Sequence, residues 1–257
     1  MNQLPPLFAF DLDDTLAASK SPVDPRMLRL IERLLERGEV AVISGGNFTQ
    51  FQAQLLDRLG SLDEAHLGRM HLLPTCGTQY YRREAGAWAA RYREELTDDE
   101  TERAMTALRE EAERLGLWAN EPWGEILEDR GSQVTFSALG QRAPVEAKHA
   151  WDPDSAKKSA LRDAVAARLP DLEVRSGGST SVDITRKGID KAYGMRKLAA
   201  ESGVALDDML FIGDRLDPDG NDYPVLAMGV ATHAVTGWED TADFLEALLG
   251  AEPGSPA

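Results

Sequence analysis

The sequence predicts an α/β fold: a doubly wound parallel-sheet core interrupted by an inserted α+β cap domain. Three observations carry that expectation. Short apolar runs at residues 7–12, 40–43 and 209–212 each stop at a polar or acidic cluster, as buried parallel strands do when they end at a site. The first two are followed by helical periodicity, the rhythm of strand–helix crossovers. Between the second and third runs that rhythm gives way to hairpin patterns, and 257 residues leave room for a second unit.

The elements follow in order. After the first strand, Asp24 is an N-cap and Pro25 suits the first helical position. Met27, Leu30, Ile31, Leu34 and Leu35 then form one apolar face, and Gly38 can close the helix. The second strand ends at Ser44, Gly45 and Gly46, and residues 48–59 read as helix. Residues 79–93 read as a hairpin turning at Glu84, Ala85 and Gly86, and Thr97 with Glu100 makes a capping box for a charged helix reaching about residue 115. Residues 125–137 read as paired strands, 154–169 as an amphipathic helix and 172–185 as a second hairpin. From Asp190 the core pattern resumes with a helix to Ser202, the strand at 209–212, a last strand near 230–235 and a helix over 240–249. The tail, 250–257, carries Gly, Pro and Ser and is expected to fray. The expected division is a core of residues 1–80 and 186–257 and a cap of residues 81–185.

Bulk composition excludes some functions. With 44 acidic against 28 basic residues the formal charge is −16, a field that repels nucleic acid and anionic lipid, so neither is expected as a partner. The same field repels an anionic substrate, which therefore needs local cations. One cysteine, Cys76, permits no intramolecular disulfide and fits a reducing compartment. No stretch approaches a membrane span and the first residues lack a basic leader pattern, so a cytoplasmic location is expected. Periodicity leaves monomer and homodimer both open.

The chemistry concentrates at strand ends, where doubly wound sheets bind ligands. Asp11 and Asp13 lie two apart as the first strand ends, so one carboxylate can be nucleophile and metal ligand and the other an acid/base. Close carboxylates repel, and a hard, oxygen-preferring divalent cation is their natural companion. Asp214 ends the strand at 209–212 and can complete that metal site, with Asn221 or Asp222 as a further ligand or support; a turn and a helix cap are the plainer readings of those two. Ser44 and Gly45 can bring hydroxyl and backbone N–H groups to a phosphate. Lys191, at a helix start, can neutralise both phosphate and carboxylates. Cys76 reads as a small core or turn residue, and none of the four histidines is assigned to metal.

Taken in this order, the pieces Asp11–Thr15, Ser44, Lys191 and Gly213–Asp214 with Asn221–Asp222 resemble the four motifs of the haloacid dehalogenase superfamily, whose core is Rossmann-like. The insert resembles that of its branch with a large C2-type cap. Within it, Asp11–Leu16 with Asp24–Pro25, residues 188–191 and 220–222, and the cap segments 130–141 and 179–183 are similar to eukaryotic-type phosphomannomutases and nearby sugar-phosphate phosphatases, over nearly the whole chain. The resemblance implies Mg²⁺, an aspartyl-phosphate on Asp11, Asp13 as acid/base, Ser44 and Lys191 on the phosphoryl oxygens, and Asp11, the main chain of Asp13 and Asp214 around the metal. It further implies that Lys20 faces substrate from the core, and that Arg130, Gln141, Lys148, Ser181 and Asp183 do so from the cap.

The sequence also departs from that family. Lys20 and Lys148 stand where it has arginines, so planar forks become point charges. Gln141 replaces a cap arginine, with Arg142 beside it, and Asp14 stands where glycine is usual. Ser44 fits the superfamily better than the mutases, whose serine falls near Asn47. Because a mutase must grip two phosphates, the loss of charge at Gln141 favours a Mg²⁺-dependent phosphatase acting on a sugar phosphate. The alternatives are a phosphohexomutase interconverting hexose 1- and 6-phosphates and, more remotely, an inactive phosphosugar-binding protein.

Overall fold

The computed structural model describes residues 4–60 and 62–250, so the tail expected to fray lies outside the described residues beyond Gly250. Two compact units emerge, residues up to Tyr92 together with those from Asp190 onward, and the segment Arg93–Ile189 between them.

The first unit is built on a seven-stranded sheet. Its strands are β1 (Leu7–Phe10), β2 (Glu39–Ile43), β3 (Met70–Leu73), β4 (Gln79–Glu84), β5 (Ala87–Arg93), then β10 (Met209–Gly213) and β11 (Ala231–Ala234), in the order β11-β10-β1-β2-β3-β4-β5. The five strands from β11 to β3 run parallel, and β4 turns back antiparallel to β3. The chain leaves β1 toward β2 on one side and returns through β10 on the other. The switch point, where the ends of neighbouring strands splay apart, therefore lies between β1 and β10.

Alternation along the strands builds two cores. Phe8 and Phe10 of β1 pack with Val40, Val42 and Leu72 under helices α1 (Pro25–Leu35), α2 (Phe48–Gln54) and α9 (Trp238–Gly250). Leu7 and Ala9 face the other way, with Ala41, Ile43, Leu73 and Phe211, under α7 (Lys191–Ser202) and α8 (Tyr223–Ala227). Helix α1 starts as its sequence asks: Pro25 is its first residue and Asp24 accepts from the Arg26 N–H at 2.7 Å. All five residues of its expected apolar face, Met27, Leu30, Ile31, Leu34 and Leu35, are buried, each stabilising by about 1.5–3 kcal/mol.

The second unit is a four-stranded antiparallel sheet, in the order β6-β7-β9-β8, made of β6 (Leu127–Asp129), β7 (Val134–Ser137), β8 (Leu172–Ser176) and β9 (Ser181–Arg186). Helices α4 (Asp98–Arg114) and α6 (Ala156–Arg168) cover one face, where Val134, Phe136, Val174, Val182 and Ile184 meet Ala104, Leu108, Leu161 and Val165. The Thr97–Glu100 capping box forms with both of its bonds. The alternate positions Thr135, Ser137, Ser181 and Asp183 leave the opposite face polar.

Four expectations change. The hairpin at 79–93 extends the core sheet, because Tyr81 pairs with Leu72 and its ring stacks on Phe48 at 4.1 Å. The units thus divide at Tyr92/Arg93 and Ile189/Asp190, later than the boundaries placed at residues 80 and 186. The helix expected over 48–59 stops at Gln54 and passes into a single 3₁₀ turn, Leu56–Arg58. Strand β3, the short helix α3 (Glu64–Leu67) and helix α5 (Val145–Trp151) were not expected at all. Asp222 precedes α8 but makes no capping bond, since its carboxylate is engaged elsewhere.

Candidate active site

Asp11 is the first residue beyond β1, and its N–H donates to the Ile212 carbonyl of β10 at 3.0 Å. It is only 4% exposed, and its Oδ1 accepts from the Leu12 N–H at 2.7 Å. The Lys191 ammonium, itself 1% exposed, lies 2.8 Å from the same Oδ1 and 2.5 Å from Asp222 Oδ1. Lys191 reaches this point because α7 begins there. Asp190 caps the helix by accepting from the Tyr193 N–H, which makes Lys191 its first residue.

Asp222 is fully buried; its second oxygen accepts from the Arg215 N–H at 3.0 Å, which folds the acidic loop back onto the end of β10. Gly213 makes this approach possible, because a Cβ there would overlap the Asp222 carboxylate. Asp214 follows, half-buried, with its Oδ1 accepting from the Thr15 hydroxyl at 3.2 Å.

Asp11, Asp214 and Asp222 each bring one carboxylate oxygen to within 4.8 Å of the others. Three carboxylates against one ammonium leave two negative charges uncompensated, which fits a divalent cation taking oxygen ligands. The electrostatics agree. Burial lifts Asp11 well above the usual carboxylate range, against the pull of Lys191 and with the push of Asp222 and Asp214. Burial and then the Asp222 charge push Asp214 up to about 6. For Lys191, burial works against the charge, but the fields of Asp11 and Asp222 outweigh it and raise its pKa.

Asp13 stands apart from this cluster. Its Oδ1 accepts from the Lys20 N–H at 2.6 Å and from Gln54 Nε2 at 3.1 Å. Lys20 thus serves Asp13 through its main chain, from a residue at φ 54°. Asp14 takes φ 59°, the left-handed region in which glycine is easiest, and its carboxylate accepts from the Ser19 N–H at 3.0 Å. An aspartate is one of the few side chains that tolerates this geometry, which is how the chain departs from glycine without losing the turn.

Phe10 pairs in register with Val42, so Asp11 and Ser44 leave adjacent strand ends. Ser44 is buried and its hydroxyl accepts from the Gly46 N–H at 3.0 Å. The turn after β3 holds this loop from behind: Cys76 N–H donates to Ser44 O and Thr75 N–H to Gly46 O, each at 2.9 Å. A Cβ on Gly45 would meet nothing within 4 Å, so the loop backbone is open there to an approaching group. Asn47 is spent as the cap of α2, and Asn221 is exposed.

In the second unit Ser181 and Asp183 lie on the polar face of the sheet, Gln141 follows the Ser137 end of β7, and Arg130 lies in the turn between β6 and β7. Ser137 and Ser181 are opposite in register, as are Thr135 and Asp183, and the Thr135 hydroxyl donates to Asp183 at 2.7 Å. Gln141 Nε2 donates to Ser137 Oγ at 2.9 Å. Arg130 is buried and bonds Glu128 through Nε at 2.9 Å and Nη2 at 2.7 Å, and Lys148 is buried on α5. Thr15, Gln54, Glu128, Thr135 and Ser137 join these networks without having been singled out from sequence. Only Gln54 left a signal, a polar side chain on the buried stripe of α2 beside Phe51.

Comparison with known proteins gives a consistent result. The family model described as eukaryotic phosphomannomutase matches residues 27–251. A probable phosphomannomutase of Caenorhabditis elegans is 24% identical over 254 residues, covering 95% of each chain. Phosphomannomutase 1 of Homo sapiens is 23% identical, covering 91% of this chain and 88% of its own. Among solved structures, an IMP-bound IMP-nucleotidase of Plasmodium falciparum superimposes with a TM-score of 0.70 at 13% identity, over 97% of this chain and 69% of that one. A haloacid dehalogenase-like hydrolase from Bacteroides thetaiotaomicron gives 0.60 at 17% identity, over 94% and 98%.

Proposed function

The chain belongs to the eukaryotic phosphomannomutase family, within the haloacid dehalogenase superfamily, and on that premise we propose that it is a Mg²⁺-dependent phosphohexomutase interconverting hexose 1- and 6-phosphates through an aspartyl-phosphate. The observation that carries phosphoryl transfer is the buried Asp11–Lys191–Asp222 chain at the switch point, with Asp214 beside it. The mutase outcome is supported by relatives named phosphomannomutases that match over both units. It takes precedence over the phosphatase expected from sequence.

In this reading an Asp11 oxygen attacks phosphorus in line, and the bond from phosphorus to the sugar oxygen breaks. Asp13 gives its proton to the departing oxygen, then takes one from the hydroxyl that attacks the aspartyl-phosphate, which frees Asp11. Lys191 and the Ser44 loop meet the phosphoryl oxygens, where transition-state charge spreads. Asp11 and Asp214, supported by Asp222, would hold the cation, which supplies positive charge to those oxygens when bound. Arg130, Lys148, Ser181 and Asp183 of the second unit recognise the phosphosugar.

One observation favours hydrolysis as a second reading: Gln141, where a cation would serve a second phosphate, is an amide bonded to Ser137. The deciding experiment incubates the protein with Mg²⁺ and mannose 1-phosphate or glucose 1-phosphate, with and without hexose 1,6-bisphosphate. Hexose 6-phosphate formed on bisphosphate addition, without free phosphate, establishes the mutase. Free phosphate in step with sugar release, abolished in Asp11→Asn, overturns it in favour of the phosphatase.

A further inference from the structure

Gln54 is a buried polar residue with an uneven set of bonds. It ends α2 on the same buried face as Phe51, and is 4% exposed. Its Nε2 donates to Asp13 Oδ1 at 3.1 Å, and its main-chain carbonyl accepts from the Val23 N–H at 2.8 Å. Its own Oε1 is buried and finds no hydrogen-bond partner among the described residues. A buried acceptor without a partner is a cost that a leucine at this position would avoid, so packing does not explain the amide. What the amide supplies and leucine cannot is the bond to Asp13.

That bond acts on one oxygen. The Gln54 amide and the Lys20 N–H both bind Asp13 Oδ1, which leaves Oδ2 for proton exchange. Asp13 itself stands on the turn after β1, where its one isolated bridge is to Ala17, so its carboxyl orientation depends on such contacts. We infer that Gln54 is a positioning residue: it fixes the Asp13 carboxyl from α2, so that the free oxygen is held ready for the departing or entering hydroxyl. The inference rests on the proposed function, in which Asp13 is the acid/base. Its consequence is selective. Losing Gln54 slows steps that need a proton delivered, and spares a step whose leaving group departs as a stable anion.

The test compares the Mg²⁺-loaded wild type with Gln54→Leu and Gln54→Met, two near-isosteric changes that also remove the orphaned acceptor. First-turnover formation of the aspartyl-phosphate is followed by rapid quench. The donors are glucose 1-phosphate, whose oxygen must be protonated, and p-nitrophenyl phosphate, whose phenolate leaves without a proton. In both variants the rate from glucose 1-phosphate is expected to fall by about 10–100-fold with KM changed by less than about threefold. The rate from p-nitrophenyl phosphate should stay within about threefold. Equal losses on the two esters, no loss on glucose 1-phosphate, or failure of both variants to fold would each overturn the inference and make Gln54 structural. A wild type phosphorylated by neither ester would overturn the inference, and one phosphorylated by neither ester nor hexose 1,6-bisphosphate would overturn the proposed function with it.

Discussion

Replacing Lys191 by methionine tests the electrostatic account of the site. The substitution keeps the length and apolar stem of the side chain and removes the ammonium that lies 2.8 Å from Asp11 and 2.5 Å from Asp222. Both partners are buried, and withdrawing one member of a buried ion pair costs about 3–5 kcal/mol, because the remaining charge cannot be resolvated. At roughly 2–4 °C per kcal/mol for a chain of this size, the metal-free variant should melt about 6–20 °C lower at pH 8.

The pH dependence of that loss has a definite sign. Asp11 already has a folded-state pKa well above its ordinary value, and Lys191 is what restrains the rise. Without Lys191 the rise is larger. A raised pKa gives stability that is full below the unfolded value and is lost as pH climbs through the folded one, so the variant recovers on acidification. The gap between wild type and variant should therefore shrink from pH 8 to pH 5. Mg²⁺ should narrow it as well, since the cation replaces the missing charge. Thermal melts at the two pH values, with chelator or with Mg²⁺, make the measurement. An equal gap at both pH values, untouched by Mg²⁺, would refute the reasoning and reduce Lys191 to a packing residue.

Three further outcomes are expected. Asp11→Asn should form no aspartyl-phosphate with any ester, while its circular dichroism spectrum remains that of the wild type. Because Asp214 is pushed up to about 6 in the metal-free site, Mg²⁺ must displace a proton below that pH. Affinity by calorimetry should then weaken by up to about tenfold per pH unit below 6, with proton uptake by the buffer, and the metal-free protein should gain stability as pH falls through the same range. Gly194→Ala places a Cβ 2.8 Å from the Cys76 carbonyl, in the close contact that seats α7 beside the turn after β3. Overpacking there should cost about 1–3 kcal/mol in urea unfolding and, by shifting Lys191, lower turnover more than it raises KM.

What the sequence disclosed and what it withheld follow from the range of the forces involved. Asp24, Pro25 and the Thr97–Glu100 box act within one turn of chain, and each appears as its local chemistry dictates. Asp11, Ser44 and Asp214 stood out because buried apolar runs mark where strands stop, and Lys191 because it opens a helix. Strand β3 was missed although all four of its residues are buried; four residues, Met70 to Leu73 with His71 among them, are too few for periodicity to separate strand from helix. The hairpin at 79–93 was seen as a hairpin but given to the wrong unit, because its partner Leu72 lies on that unseen strand. Asp222 was left between metal ligand and helix cap, and the contact that decides its role, with Lys191, spans 31 positions of sequence. Thr15 is an extreme case: its partner Asp214 is 199 residues away, beyond any local pattern.

The same distinction explains where the functional reading branches. In the proposed mechanism Asp11, Asp13, Lys191 and Asp214 serve every step up to the aspartyl-phosphate, and those steps are the same for hydrolysis and for mutation, so the strand ends do not separate the two. On the same proposal the separation lies in how many anionic groups the polar face of the second unit can hold. In that unit Arg130 already shares its guanidinium with Glu128, Gln141 offers a neutral amide, and Asp183 brings negative charge. A second phosphate would have to draw Arg130 from Glu128 or rely on Lys148, and a point charge holds a phosphate less selectively than a fork does. Restoring the fork with Gln141→Arg should therefore lower the KM for hexose 1,6-bisphosphate by about tenfold, roughly 1.4 kcal/mol, and leave the rate of aspartyl-phosphate formation from a monophosphate unchanged. A bisphosphate KM that does not move would place the second phosphate away from this end of the sheet.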